Sequence, residues 1–158
     1  MTAGPHECLE HALDVAYRYL GHRDRTVAEM RGRLDAEGVQ PAVVEEAVAE
    51  LERQGYLDDA RYARRFAEDR RTIDAWGTER IERRLLAVGV DPALIAAALD
   101  ERGATEELEA ALAVLRRRFP NAPSDDRIRE RALGLLVRRG YELDLAYDAV
   151  RAFERDAA

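Results

Sequence analysis

Residues 30–41 read MRGRLDAEGVQP, and the same pattern returns at 81–92 as IERRLLAVGVDP and at 132–143 as ALGLLVRRGYEL. Gly38, Gly89 and Gly140 therefore stand 51 residues apart. Four residues before each glycine is Leu34, Leu85 or Leu136, and eight before it is Met30, Ile81 or Ala132, which is one apolar helix face written three times. A fixed period of this length decides the fold, because each copy is a supersecondary unit that buries its apolar face against its neighbours. Gly38 and Gly89 sit where a helix ends in a left-handed residue, and Pro41 and Pro92 fall in the first turn of a following helix. The third copy has Leu143 at that place and so lacks one signal.

Working outward, the second helix repeats too. Val44, Ile95 and Ala146 correspond, as do Ala47, Ala98 and Ala149, and Val48, Leu99 and Val150. Only the last step breaks, where Arg102 stands between Leu51 and Phe153. Upstream of each pair lies a further helical stretch: Leu9, Leu13, Ala16, Tyr17 and Leu20; then Tyr62, Ala63 and Phe66; then Leu108, Leu112, Leu115 and Phe119. The expected fold is all-α, with three tandem three-helix, helix-turn-helix-like repeats in an elongated curved array. Residues 1–11 are read as an N-terminal extension, and the repeats as 12–57, 58–103 and 104–158, with Pro120–Pro123 a loop inside the third. Asp58 or Asp59, Thr26 and Ser124 are candidate helix caps, their oxygens accepting orphan backbone N–H bonds. Gly55, Leu57 and Asp58 read as a helix-end turn with its cap, and Tyr56 and Tyr62 as packing.

Composition agrees. The chain of 158 residues is 47% hydrophobic and 36% charged, with three Phe, too apolar for a disordered segment and rich in helix formers. One cysteine, Cys8, rules out an intramolecular disulfide, and no apolar run reaches the roughly 20 residues that span a bilayer, so a cytoplasmic protein without a membrane role is expected. All 25 basic residues are Arg, which reads as codon bias more than as a demand for bidentate contacts.

The net charge of -7 hides an alternation in phase with the repeat. Residues 12–33, 61–84 and 110–139 carry +2, +3 and +5, whereas 34–60, 85–109 and 140–158 carry -7, -5 and -3. The first two helices of each copy can thus present an Arg-rich stripe. Its candidates are Arg64, Arg65, Arg70, Arg71, Arg80, Arg83 and Arg84 in the middle copy, and Arg116, Arg117, Arg118, Arg127, Arg129, Arg131, Arg138 and Arg139 in the last. The alternative is a solvated face with intrahelical pairs such as Glu79–Arg83. Trp76 precedes Gly77 in a turn where the parallel positions hold Arg25 and Arg127, so it is either an interface anchor or a half-buried packing residue.

Gly55-Tyr56-Leu57-Asp58-Asp59, then Arg61-Tyr62-Ala63, Gly77-Thr78-Glu79-Arg80-Ile81 and the helix ending in Leu85 and Gly89-Val90 together resemble the RecX regulatory family. Arg23, Thr26, Glu29 and Leu34 after the Ala12–Leu20 stretch, and Arg138-Arg139-Gly140-Tyr141, fit the same pattern, so the resemblance runs from about Ala12 to Phe153. It implies a three-repeat helical arc that lies in the groove of the RecA filament on single-stranded DNA and suppresses its ATP hydrolysis, strand exchange and co-protease activity. It implies a protein that acts by binding; no cofactor and no catalysis are expected, and a monomer. Weak, salt-sensitive contact with single- or double-stranded DNA is the most that a chain of this net charge should show alone.

Other chemistry is disfavoured. His6, Glu7, Cys8, Glu10 and His11 cluster near the amino terminus, but their spacing matches no closed zinc site. No phosphate-cradling Gly-rich loop is present. A helix-turn-helix protein acting on DNA directly is the alternative binding class, since three-helix units with a tight glycine turn also build such readers. Against it, the third helix of the first copy carries Glu45, Glu46, Glu50 and Glu52, and that of the second is mostly Ala and Leu. A generic helical-repeat scaffold is set aside only by the family resemblance.

Overall fold

The computed structural model describes residues 3–157, and among these the secondary structure is helical throughout, without strands. Nine helices follow in order: α1 (Pro5–Leu20), α2 (Val27–Ala36), α3 (Pro41–Arg53), α4 (Asp59–Ile73), α5 (Thr78–Ala87), α6 (Pro92–Leu99), α7 (Ala104–Arg118), α8 (Asp126–Arg139) and α9 (Leu143–Asp156). Each copy of the repeat supplies three. Within the expected N-terminal extension, residues 5–11 are helical and run on into α1: Pro5 takes a first-turn position, and the Glu7 carboxylate reaches back to accept the Gly4 N–H at 3.0 Å.

Capping chemistry sets the helix starts. Thr26 Oγ1 accepts the Glu29 N–H at 3.1 Å while Glu29 accepts the Thr26 N–H at 3.0 Å, a reciprocal box that opens α2. Asp58, not Asp59, caps α4 by accepting the Arg61 N–H. Asp125 accepts the Ile128 N–H and caps α8, so Ser124 is displaced by its acidic neighbour one position closer to the helix. Gly38, Gly89 and Gly140 adopt φ of +77°, +83° and +95°, the left-handed conformation that ends the second helix of each copy. At Gly55, φ +81° turns the chain out of α3, and Tyr56 and Leu57 both donate to the Leu51 carbonyl.

The chain forms two compact units, one of residues through Ala63 with Leu85–Ile95, the other of Arg64–Arg84 with residues from Ala96 onward. The middle copy contributes to both. In the first unit Ala12, Ala16, Met30, Leu34, Val44, Ala47, Val48, Leu51 and Leu57 make the core. In the second, Ala111, Leu112, Leu115, Ala132, Leu136, Tyr141, Ala146, Ala149, Val150 and Phe153 do so. The equivalent leucines Leu34, Leu85 and Leu136 are all 0% exposed, and truncating one to Ala would cost about 2–5 kcal/mol.

Inside each unit the join between consecutive copies is built the same way. Thr26 Oγ1 donates to the Val88 carbonyl at 2.6 Å, and 51 residues later in both chains of contact Gly77 N–H donates to the Arg139 carbonyl at 2.8 Å. An acid from the next copy's first helix completes the cap: Asp59 accepts the Val27 N–H, and Glu107 accepts the Thr78 N–H, each at 2.9 Å. The left-handed turns lie against these helix starts, with Gly89 against Ala28 and Gly140 against Arg80.

Candidate partner-binding surface

The second unit gathers most of the candidate arginines, and packing sorts them into groups. The α4–α5 turn places Trp76 against two guanidinium groups, Arg80 at 4.2 Å and Arg70 at 5.8 Å from its ring centroid, with Phe66 edge-on at 6.1 Å. Arg70 also pairs with Asp74, and Arg80 donates to the Arg138 carbonyl. Trp76 is half-buried in this stack. Ala75 beside it has φ +52°, held in place where Tyr141 Oη donates to its carbonyl at 3.0 Å. Burial, then the nearby Glu107 charge, pushes the Tyr141 phenol up to about 12, so it stays protonated in its donor role.

A cavity of about 350 Å3 opens next to this turn, lined by Arg71, Arg102, Arg117, Arg118 and Arg139 over a wall that includes Ala110, Ala113, Val114, Leu135 and Tyr141. Three of the five guanidinium groups are fixed by the fold. Arg71 donates to the Leu99 carbonyl at 3.2 Å, Arg139 donates to the Asp74 carbonyl, and Arg102 lies 3.1 Å from the buried Glu107 carboxylate. That last contact is out of line for a hydrogen bond, leaving Arg102 Nη1 and Glu107 Oε2 without one. Burial, then the Arg102 charge, lowers the Arg71 pKa, and Glu107, Glu101 and Glu106 oppose the shift.

Two neighbouring hollows share residues with this cavity. One, of about 390 Å3, has Arg118 and Leu135 in common with it and adds Phe119, Arg127, Glu130, Arg131 and Arg138. The other shares Arg71, Thr72 and Arg102, and adds Arg64, Glu68, Glu101 and Glu106. A continuous basic surface thus runs across α7 and α8, becoming mixed in charge toward α4.

Not every candidate joins it. Arg116 and Arg129 are neutralised by the acidic α9, Arg116 by Asp156 at 2.9 Å and Arg129 by Glu154 at 2.6 Å. Arg65, Arg83 and Arg84 are exposed outside the three hollows. Among the described residues no ion pair engages Arg83, Arg84, Arg117, Arg118, Arg127, Arg131 or Arg138, and the expected Glu79–Arg83 pair is not formed. The sequence reading missed Arg102 and Glu107. The signal was there: Arg102 is the charged residue that interrupts the Leu51/Phe153 series, and a charge at a core register asks for a partner. Among the described residues no cluster of three His, Cys, Asp or Glu can hold a metal, and no helix is long and apolar enough to cross a membrane.

Comparison with known proteins gives a consistent family. The first three-helix domain of RecX matches residues 12–51, the second 58–99 and the third 105–150. The regulatory protein RecX of Trichlorobacter lovleyi is 38% identical over 136 residues, covering 83% of this chain and 88% of that one. That of Deinococcus radiodurans is 34% identical over 142 residues, covering 90% and 68%. The crystal structure of RecX from Lactobacillus salivarius superposes with a TM-score of 0.83 at 17% identity over 94% of this chain and 97% of that one, a likeness of fold.

Proposed function

We propose, from the premise that this chain belongs to the RecX family of regulatory proteins, that it binds the RecA filament on single-stranded DNA and restrains its ATP hydrolysis, strand exchange and co-protease activity. It acts by contact and catalyses nothing. The observation that carries this reading is that all three domains of the family match in order, from residue 12 to residue 150. The basic surface over α7 and α8 supplies chemistry suited to a carboxylate-bearing partner or a bound strand, since arginine forks grip either bidentately. Repetition adds to it: similar units meeting successive protomers of a polymer gain from effective concentration what a single unit lacks.

Direct action on DNA finds less support. The third helix of the first copy exposes Glu45, Glu46 and Glu52, which repel phosphate, and α6 reads PALIAAAL without a charge. The test is the DNA-dependent ATPase of the cognate RecA on single-stranded DNA, titrated with this protein at substoichiometric ratios and repeated with DNA in excess. Inhibition that excess DNA leaves unrelieved is expected; an unaffected ATPase, with tight binding to DNA alone, would overturn the proposal.

A further inference from the structure

We propose that the five-arginine cavity of the second unit is a binding site for a nucleoside polyphosphate, independent of the filament reading. Arg71, Arg102, Arg117, Arg118 and Arg139 converge on one space of about 350 Å3, and no carboxylate lines it. Glu107, the acid in contact with this group, is occupied by the Thr78 N–H and hydroxyl and by Arg102. A monoanion would leave most of that charge uncompensated. A chain of phosphates sets three or four negative charges within a few ångströms, and its oxygens match the planar fork of arginine.

Two further features narrow the class. The wall of Ala75, Ala110, Ala113, Val114, Leu135 and Tyr141 is apolar, which bare phosphate does not need and a base with its sugar does. Guanidinium planes also stack on aromatic bases. The volume falls within the range of about 300–1,000 Å3 typical of small-molecule sites. In addition, Arg71 Nε is buried without an acceptor, a costly state that a bound anion relieves. Because Arg71, Arg102 and Arg139 are already held by Leu99, Glu107 and Asp74, little ordering remains for the ligand to supply. Arg117 and Arg118, exposed at the end of α7, are free to close on it. A single strand of nucleic acid spreads one charge per nucleotide over a longer path and fits the concentrated cavity less well.

Isothermal calorimetry on the full chain at about 0.15 M salt tests this, with ATP, ADP, AMP, adenosine, inorganic tripolyphosphate and a dodecamer of thymidylate as probes. Saturable one-to-one binding is expected to weaken from ATP to ADP to AMP, with adenosine silent and tripolyphosphate at least about tenfold weaker than ATP. Ala113→Glu, which puts an acid into the cavity from an exposed helix position, should weaken ATP by about tenfold or more, as should Arg117→Gln with Arg118→Gln. Arg116→Gln, on the same helix but paired with Asp156 outside the cavity, should bind like the parent. Absence of ATP binding by the parent up to about 5 mM overturns the proposal whatever the variants do. So does thymidylate binding with ATP silent, or undiminished ATP binding by an Ala113→Glu protein with native circular dichroism.

Discussion

Removing the Glu107 carboxylate tests the join between the second and third copies most directly. The side chain is 7% exposed and serves three groups, accepting from Thr78 N–H at 2.9 Å and Thr78 Oγ1 at 3.1 Å while lying 3.1 Å from Arg102. Glu107→Ala therefore deletes an acceptor at the start of α5, worth about 1 kcal/mol. It also strands the Arg102 guanidinium, whose side chain is 18% exposed. Breaking a fully buried pair costs roughly 3–5 kcal/mol, and residual hydration of Arg102 reduces that to about 2. The sum of about 3 kcal/mol should lower the melting temperature by about 6–12 °C in a chain of this size. Glu107→Gln keeps an acceptor for Thr78 but not the charge facing Arg102, so it should fall between the two. Urea unfolding followed by circular dichroism at 222 nm gives both values. An alanine variant within about 0.5 kcal/mol of the parent, or a glutamine variant as unstable as alanine, would refute the division of labour between cap and ion pair.

The same join predicts a contrast between two glycines: a Cβ at Gly140 would stand 2.2 Å from Arg80 Cβ in a residue at φ +95°, whereas Gly38 has open space around it. Gly140→Ala should cost about 3 kcal/mol or more and Gly38→Ala only about 1, checked by thermal melts; equal costs would show that the close approach is relieved elsewhere. Burial raises the Asp59 pKa, so its contribution to stability is full below the unfolded value and is lost as pH rises through the folded one. Asp59→Asn, which keeps an acceptor for Val27, should therefore gain on the parent between pH 3 and pH 7 in paired melts. Tyr141→Phe loses the bond to Ala75 and should cost about 1 kcal/mol at neutral pH, while abolishing the extra loss of stability that the parent shows as pH rises from the unfolded tyrosine value through the folded value of about 12. Reversing Arg131 and Arg138 together to Glu should raise the concentration needed to inhibit the RecA ATPase by about tenfold, with Arg116→Gln as the neutral control; unchanged inhibition by a folded variant would remove the α7–α8 surface from the interface.

The repeat was legible because it rests on a rule that one sequence displays by itself. A core position filled by Met30, Ile81 and Ala132 returns at a constant spacing, and its glycines have a conformational job that no other residue does cheaply. Helix ends were less legible where two acids compete. Asp58 and Asp59 are adjacent, and only the fold reveals that the first caps its own helix while the second is lent to Val27 in the preceding copy. α1 reached back to Pro5 because its start is set by a first-turn proline and a returning glutamate, weak signals outside the repeat. The arginine stripe was half legible for a different reason. Charge counts show where cations lie along the chain, but not which acids fold onto them.

That distinction explains why, in the last copy, the uncompensated part of the stripe is a basic surface on α7 and α8. Helix α9 is acidic, and it draws Arg116 and Arg129 into pairs, so the count of +5 over residues 110–139 overstates what is offered to a partner. What remains, Arg117, Arg118, Arg127, Arg131 and Arg138, lies on the two hollows that share Arg118 and Leu135. In the middle copy Arg70 and Arg80 are spent on Trp76, and Arg71 turns into the cavity formed with the third. The repeat thus distributes one arginine-rich pattern to three tasks: holding the aromatic turn, pairing with the closing helix, and leaving a cationic face uncompensated. Residues in the third group can give up hydration to a partner without first breaking a contact within the fold, which is why substitutions there are expected to change binding while leaving stability within about 0.5 kcal/mol.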